Sequence, residues 1–352
     1  MKISISKGAI QNALKAVSKY AGNAAPYLAC VHIEADAEHV TIAATNLDES
    51  ARCRIPAIVE GEGRCLVSAK RLGEVVSTLP DAAITITVEG TAAEIACGRS
   101  RFDIPALDPD EFPGVLSAKA DASVTIPLAT WSTMVSKTAP FAAKHSAKQE
   151  ILKGILVEVA DGTIRMVATD SYRMMCFDHP ADGEFRAVIP AAFANGSASA
   201  PTDASEVTVS VSDSVIQVEA GEYTFATRAI AGNYPNYKAL MPDKFNATAV
   251  IADHSLASAL KRACVVGGSV AVEIDIDGDT AKFTASEKEV GSMSDEVACE
   301  SDGEIRIKVN PALAFDIVQA MSGMDVTLGY ISNLKPLSFK SGNQFAIVMP
   351  VR

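Results

Sequence analysis

One phrase returns three times along this chain, at intervals too long for a small repeat. Ile42-Ala43-Ala44-Thr45-Asn46 reappears as Met166-Val167-Ala168-Thr169-Asp170 and, weaker, as Phe283-Thr284-Ala285-Ser286-Glu287. The steps from Asn46 to Asp170 and from Asp170 to Glu287 are 124 and 117 residues. A second phrase keeps step: Glu111-Phe112-Pro113 returns as Asn233-Tyr234-Pro235, 122 residues on. Solenoid units are about 20–50 residues long and bury their apolar faces only by stacking. A unit of the present size encloses a core of its own. The 352 residues therefore divide into three copies of one module, at 1–118, 122–243 and 247–352.

Periodicity gives the content of each copy. Copy one opens with a strand at Lys2–Ile5. Ile10, Ala13, Leu14 and Val17 then recur at helical spacing. Strands are expected at 29–35, 39–45 and 51–59, and a second helix at 69–79 with Leu72, Val75, Val76 and Leu79 on one stripe. Strands at 83–89 and 93–97 close the copy, followed by Arg101–Pro105. Copy two repeats the opening with Leu128, Trp131, Met134 and Val135, and strands at 154–159, 163–169 and 173–179. Copy three has its first helix from Ser255 and strands at 270–276, 280–286 and 295–301. Its second helix starts at Asn310-Pro311, an N-cap followed by proline at N1, and runs to Met321 before Ser322-Gly323. Asp161-Gly162, Asp277-Gly278 and Ser341-Gly342 mark hairpin turns. The class is α+β, mostly antiparallel sheet with two helices per copy. In copy two the stretch after Val188-Ile189-Pro190 is short. Asn195-Gly196 is expected to break it, and no Lys or Arg falls between Arg186 and Arg228.

Charge narrows the function. The formal net charge is −12, so the chain repels nucleic acid on average. A DNA-binding role needs basic residues gathered on one face. Each first helix supplies them: Lys15 and Lys19 in copy one, Lys137, Lys144 and Lys148 on and after the helix of copy two, Lys261 and Arg262 in copy three. Exposed helix faces carry lysines in any case, so this pattern alone does not decide. Asp170 offers a carboxylate for catalysis or binding, but its recurrence as Asn46 and Glu287 favours a turn residue at a strand end.

No phosphate-loop, dinucleotide-fold, zinc-protease or nucleophile-elbow motif occurs, and the five histidines lie at no metal-ligand spacing. No cofactor or metal is expected. The seven cysteines are scattered among apolar residues, as buried free thiols of a reducing compartment are. No apolar run reaches the ~18 residues of a membrane span. The N-terminus alternates like a strand and lacks a secretion leader's apolar run. A cytoplasmic protein is expected.

Three phrases together carry a resemblance: Thr169-Asp170-Ser171-Tyr172-Arg173-Met174, residues 232–242 around Tyr234-Pro235-Asn236-Tyr237, and Val348-Met349-Pro350-Val351-Arg352. In these, in length and in triplication the chain resembles the bacterial DNA polymerase III beta subunit, the sliding clamp. The resemblance implies a ring-forming head-to-tail dimer of three clamp domains per chain, with helices lining a hole that double-stranded DNA threads topologically and without sequence readout. It implies no catalytic activity of its own, a place in the DNA polymerase III holoenzyme, and tethering of the polymerase alpha subunit, the clamp loader and other proteins with a clamp-binding motif.

The resemblance also assigns sites. A groove for a partner peptide, a Gln followed by Leu/Phe-type anchors, maps to Leu152, Thr169, Tyr172, Arg173, Met174, Pro235, Leu240, Leu334, Ile347, Met349, Pro350, Val351 and Arg352. Tyr172, Arg173 and Arg352 would hold polar ends of the peptide. The ring joint maps to Arg99, Arg101, Phe102 and Ile104 on an edge strand, facing Val265 and Val266, with Lys70 and Arg71 nearby. Glu287, Glu289 and Glu296 would supply the opposite charge. Copy two lacks the longer basic helix of the family pattern, so an accessory or divergent clamp stays open beside the principal one. Outside the family, a tandem β-rich enzyme or an adhesin-like scaffold are the other classes. The missing motifs disfavour the first and the N-terminus the second.

Overall fold

The computed structural model describes residues 1–144, 148–212, 214–266, 271–321 and 323–351. It contains the six expected helices: α1 (Lys7–Val17), α2 (Ala69–Thr78), α3 (Leu128–Thr138), α4 (Ala191–Ala198), α5 (Asp253–Val266) and α6 (Pro311–Ala320). The chain forms two compact units, Met1–Thr133 with Gly183–Ala229, and Met134–Asp182 with Ile230–Arg352. Each unit thus holds one terminal copy of the repeat together with part of the middle copy.

The first unit is built on a 13-stranded antiparallel sheet. Four strands of the middle copy (Ala122–Pro127, Glu206–Ser212, Val215–Ala220, Tyr223–Arg228) lead into Glu49–Pro56 of the first copy. The sheet then runs through His39–Thr45, Cys30–Asp36, Gly63–Ser68, Ser100–Leu107, Ala92–Cys97, Ala83–Glu89 and Lys2–Ser6 to Ile58–Gly61. In the second unit, Gly154–Ala160, Thr163–Thr169 and Arg173–Pro180 of the middle copy join the third copy at Gln344–Val348, followed by Leu337–Ser341, Val326–Tyr330, Ala247–Ile251 and Glu300–Ser301. A separate four-stranded sheet runs Gly291–Ala298, Thr280–Glu287, Val272–Asp277, Ile305–Val309.

Three helices start where a strand ends on a capping side chain. Ser6 Oγ accepts from the Ala9 amide at 3.3 Å and Ser68 Oγ from Arg71 at 3.4 Å. Asn310 Oδ1 accepts from Ala312 and Leu313, with Pro311 at the first helical position. The apolar stripe of α1 (Ile10, Ala13, Leu14, Val17) is buried, as are Leu72 and Val76 of α2. Six cysteines are buried and Cys264 half-buried, none in a disulfide. Burial pushes the Cys53, Cys65 and Cys176 thiols up to about 12. The expected strand start at Val270 and the Ser322 helix stop lie outside the described residues.

Asn195-Gly196 does not break α4, which runs unbroken from Ala191 to Ala198. Gly196 serves packing instead. A Cβ there would lie 2.3 Å from Tyr20 Oη. The bare glycine lets Tyr20 seat in the core between Phe193 and Phe225, at ring distances of 6.2 and 5.7 Å. The helix is also held by Trp131 Nε1, which donates to Ser197 Oγ at 3.3 Å. Gly196→Ala should therefore lower stability by about 1–3 kcal/mol by overpacking. The Tyr20 hydroxyl is buried with no hydrogen-bond partner among the described residues, so Tyr20→Phe should recover part of that loss. Thermal denaturation of the single and double variants checks both expectations.

Candidate partner-binding site

The repeated phrase is a turn, and it has the same form twice. In the first unit Thr45 Oγ1 donates to Glu49 O at 3.0 Å and accepts from the Leu47 amide, while Asn46 Oδ1 accepts from Asp48 and Glu49. In the second, Thr169 Oγ1 donates to Arg173 O at 2.7 Å and accepts from the Ser171 amide, while Asp170 Oδ1 accepts from Tyr172 and Arg173. Leu47 and Ser171 carry the positive φ, 82° and 79°. The side-chain bonds hold a backbone conformation that non-glycine residues rarely adopt. Asp170 is thus a turn-former and matches Asn46. The third copy departs: Val290 N bonds Glu287 O in its place.

In the second unit this turn lies where the middle and third copies join. Arg173–Pro180 pairs with Gln344–Val348, Arg173 opposite Val348 and Met174 opposite Ile347. The ladder continues past Val348, because the Met349 amide donates to Tyr172 O at 2.8 Å. Beyond it, Pro350 bridges to Val309 and the Val351 amide donates to Lys308 O at 2.8 Å. A cavity of about 580 Å³ opens beside this tail, bordered by Tyr330, Leu334, Lys308 and Val351.

The expected groove residues separate into two sets. Tyr172 (66% exposed), Leu334 (67%), Leu240, Met349, Val351 and Pro235 face solvent, and Pro350 is half-buried. Leu152, Met174 and Ile347 are buried beneath them, Met174 at 1%. The alternation of a strand explains this, since Arg173 and Met174 point to opposite faces. These three offer no surface.

Arg173 is also not free to hold a peptide. Its guanidinium bonds Asp170 at 3.1 Å, Asp316 of α6, and Pro140 O at 3.3 Å, and it lies 4.8 Å over the Phe141 ring. It ties the middle copy to the third. Thr169 is spent on its turn, and Arg352 lies outside the described residues. The linker carrying Pro235 and Leu240 is fixed by Tyr234, whose hydroxyl donates to Val167 O at 3.1 Å, and by Tyr237, whose hydroxyl donates to Glu158. The sequence did not single out Tyr237 or Glu158 for this role, although the repeated Tyr-Pro phrase pointed at the segment.

The other expected sites are placed as follows. Lys15, Lys19, Lys144, Lys148 and Lys261 are exposed, and Lys137 is half-buried. Arg262 is exposed but committed to Asp295, Nε to Oδ2 at 2.7 Å. Phe102 is exposed (38%) beside Arg99 and Arg101, whereas Ile104 is buried in its own sheet. Arg101 bonds Glu94 at 2.9 Å. Val265 is 77% exposed on α5, but Val266 next to it is buried. Among the described residues no cluster of three or more His, Cys, Asp or Glu is placed to hold a metal, and no helix is long and apolar enough to cross a membrane.

The fold and this junction define a class: a tandem-module scaffold whose sheets run from one module into the next and present an apolar patch where they meet. Three family profiles match in series: DNA polymerase III beta subunit N-terminal domain at 1–117, central domain at 125–236 and C-terminal domain at 238–352. The beta sliding clamp of Streptomyces coelicolor is 27% identical over 350 residues, covering 96% of this chain and 93% of that protein. The crystal structure of the Bacillus subtilis DNA polymerase sliding clamp superposes with a TM-score of 0.94 at 21% identity, covering 100% and 99%. That of the Pseudomonas aeruginosa DnaN sliding clamp bound to griselimycin gives 0.93 at 22%, covering 100% and 99%. The chain belongs to the DNA polymerase III beta subunit family.

Because Asn46 does in the first unit what Asp170 does in the second, Asp170→Asn should keep the turn, whereas Asp170→Ala removes the one oxygen that accepts from two turn amides beside the positive-φ Ser171. The alanine variant should lose about 1–3 kcal/mol and the asparagine variant clearly less, as measured by urea denaturation.

Proposed function

We propose that this sliding clamp closes from two copies joined head to tail, encircles duplex DNA without reading it, and tethers replication and repair proteins through the patch around Met349. The modules divide near 118–122 and 243–247, and each contributes two helices. The observation that carries ring closure is a pair of open sheet edges of unlike charge. Among the described residues the first half of Ser100–Leu107 pairs only with Ala92–Cys97, because Gly63–Ser68 reaches no further than Ala106 and Leu107. This edge bears Arg99, Arg101 and Phe102. Among the described residues Gly291–Ala298 pairs only with Thr280–Glu287, and Asp295, Glu296, Glu287 and Glu289 lie along or beside it. Open edges invite association unless they are paired. Joining edge one of one copy to edge two of the next satisfies both ladders, with Phe102 and Val265 as exposed apolar contacts and Arg99 facing the acidic edge.

DNA contact falls to Lys15, Lys19, Lys137, Lys144, Lys148 and Lys261, none of which forms an ion pair among the described residues. Such contacts go to phosphates, so they carry no sequence information and weaken with salt. Closure, and not affinity, then keeps the protein on DNA. The chain acts as a subunit of the polymerase assembly and not as an enzyme. The α4 segment adds no Lys or Arg to this set.

Phe102→Asp should give a folded monomer, since a central interface aromatic is commonly worth about 2 kcal/mol or more and here occurs at both joints. Native mass spectrometry and electron micrographs check it: rings for the wild type, single open particles for the variant. A dimer that survives the change refutes this joint.

The tethering patch is tested separately. Met349→Asp places a charge at the rim without touching the buried residues. Affinity for a labelled peptide carrying Gln followed by Leu and Phe anchors should fall at least about tenfold, the scale of a lost anchor contact, while the oligomeric state is unchanged. Fluorescence polarisation measures the first and native mass spectrometry the second.

A further inference from the structure

The four-stranded sheet of the second unit ends on Ile305–Val309, which among the described residues pairs with Val272–Asp277 and no other strand. The tail after Val348 covers only the Lys308–Val309 end of this edge. Pro350 bridges Val309, and the Val351 amide donates to Lys308 O at 2.8 Å. That bond fixes the direction of the other backbone groups. In an antiparallel ladder the amide and carbonyl of one residue point to the same side, and those of its neighbour to the opposite side. The Lys308 carbonyl points away from Val272–Asp277, so the Lys308 amide and both Arg306 groups point away as well. Among the described residues none of these three has a hydrogen-bond partner.

This open stretch borders the cavity of about 580 Å³ beside the tail. Arg306, Ile307 and Lys308 line it together with Leu334 and Val351. The last two are exposed groove residues, so edge and groove share one opening. Charge along the edge leaves one cation over. Lys308 stands opposite Glu273, and Arg306 opposite Asp275. Arg306 Nε bonds Glu273 at 3.0 Å, and its Nη2 lies 3.9 Å from Asp275. One guanidinium thus engages both carboxylates, and Lys308 forms no ion pair among the described residues. Two free amides, a free carbonyl, an exposed leucine and a spare ammonium therefore meet at the end of the groove.

Resting on the groove assignment above, we propose that an extended partner segment flanking the Gln/Leu/Phe anchors adds to Ile305–Val309 as a fifth strand and sets an acidic side chain against Lys308. An open edge is a template for another strand. Strand addition draws affinity from main-chain hydrogen bonds and specificity from alternate side chains. Here the Arg306 amide and carbonyl and the Lys308 amide supply the main-chain bonds, and the Lys308 ammonium supplies the preference for a carboxylate. Partners with the same anchors are then told apart by the residues beside them.

The test uses the full chain, the labelled Gln/Leu/Phe peptide, and that peptide extended at either end by an alternating Asp/Val or Lys/Val segment. One of the two Asp/Val extensions should raise affinity about tenfold, the scale of two added hydrogen bonds. N-methylation of one alternate set of amides in that extension should abolish the gain, and of the other set should leave it. Arg306→Ala and Arg306→Pro both remove the guanidinium, but only proline also removes the outward amide, a change that edge strands tolerate. The proline variant should bind the extended peptide about fivefold more weakly than the alanine variant, and both should bind the unextended peptide alike. Lys308→Glu should turn the preference from the Asp/Val to the Lys/Val extension. No gain from either extension overturns the inference, as does a gain that neither methylation removes, which is charge attraction alone. Amide exchange separates the edge from the groove, since the extended peptide should slow exchange at Arg306 and Lys308. If the unextended peptide does not bind, the groove assignment fails, and unprotected Arg306 and Lys308 amides under millimolar extended peptide then overturn the edge on its own. Protection of these amides in the peptide-free protein means that a second copy or the chain itself fills the edge, and overturns it too.

Discussion

Antiparallel pairing between modules is the constraint on which the rest depends. Tyr223–Arg228 pairs with Glu49–Pro56, from Tyr223 opposite Cys53 to Thr227 opposite Glu49. Arg173–Pro180 pairs in the same way with Gln344–Val348. Each junction removes two raw edges and replaces them with a backbone ladder that needs no particular side chains. The modules are therefore welded at register, and residues far apart in sequence reach one surface. Tyr172 and Met349 meet only because the ladder runs one residue past Val348.

Charge is organised by what stays unpaired. Arg101, Arg165, Arg173, Arg262 and Arg306 all meet carboxylates within the chain. Exposed pairs of this kind add little to stability, but they withdraw arginine from the positive set. Lys15, Lys19, Lys137, Lys144, Lys148 and Lys261 on and after the first helices form no ion pair among the described residues, nor do Lys70, Arg71, Arg99, Lys119 and Lys308 elsewhere. In a chain of net charge −12 the acidic surface repels DNA on average, so contact falls where such cations gather.

Much of this was legible in the sequence. The repeat step identified the modules, the Asn310-Pro311 cap was legible before its helix, and Asp170 read as a turn-former because Asn46 stood in its place. What escaped notice depends on depth and partners. Met174, Ile347, Leu152, Ile104 and Val266 are apolar residues next to surface positions, and a linear pattern does not say which neighbour faces inward once two sheets have merged. Arg173 looked available because Asp316 lies 143 residues away. Gly196 looked like a breaker because its reason, the Tyr20 ring, is distant in sequence.

The paired turns carry a lesson about how such duplicates diverge. Asn46 and Asp170 differ only by an amide nitrogen exchanged for an oxygen, and both cap the same two amides. The spare oxygen of Asp170 is the one that takes the Arg173 guanidinium. A substitution invisible to the local geometry thereby gives one descendant a charged handle reaching into the neighbouring module, and leaves its sibling a purely local fastening.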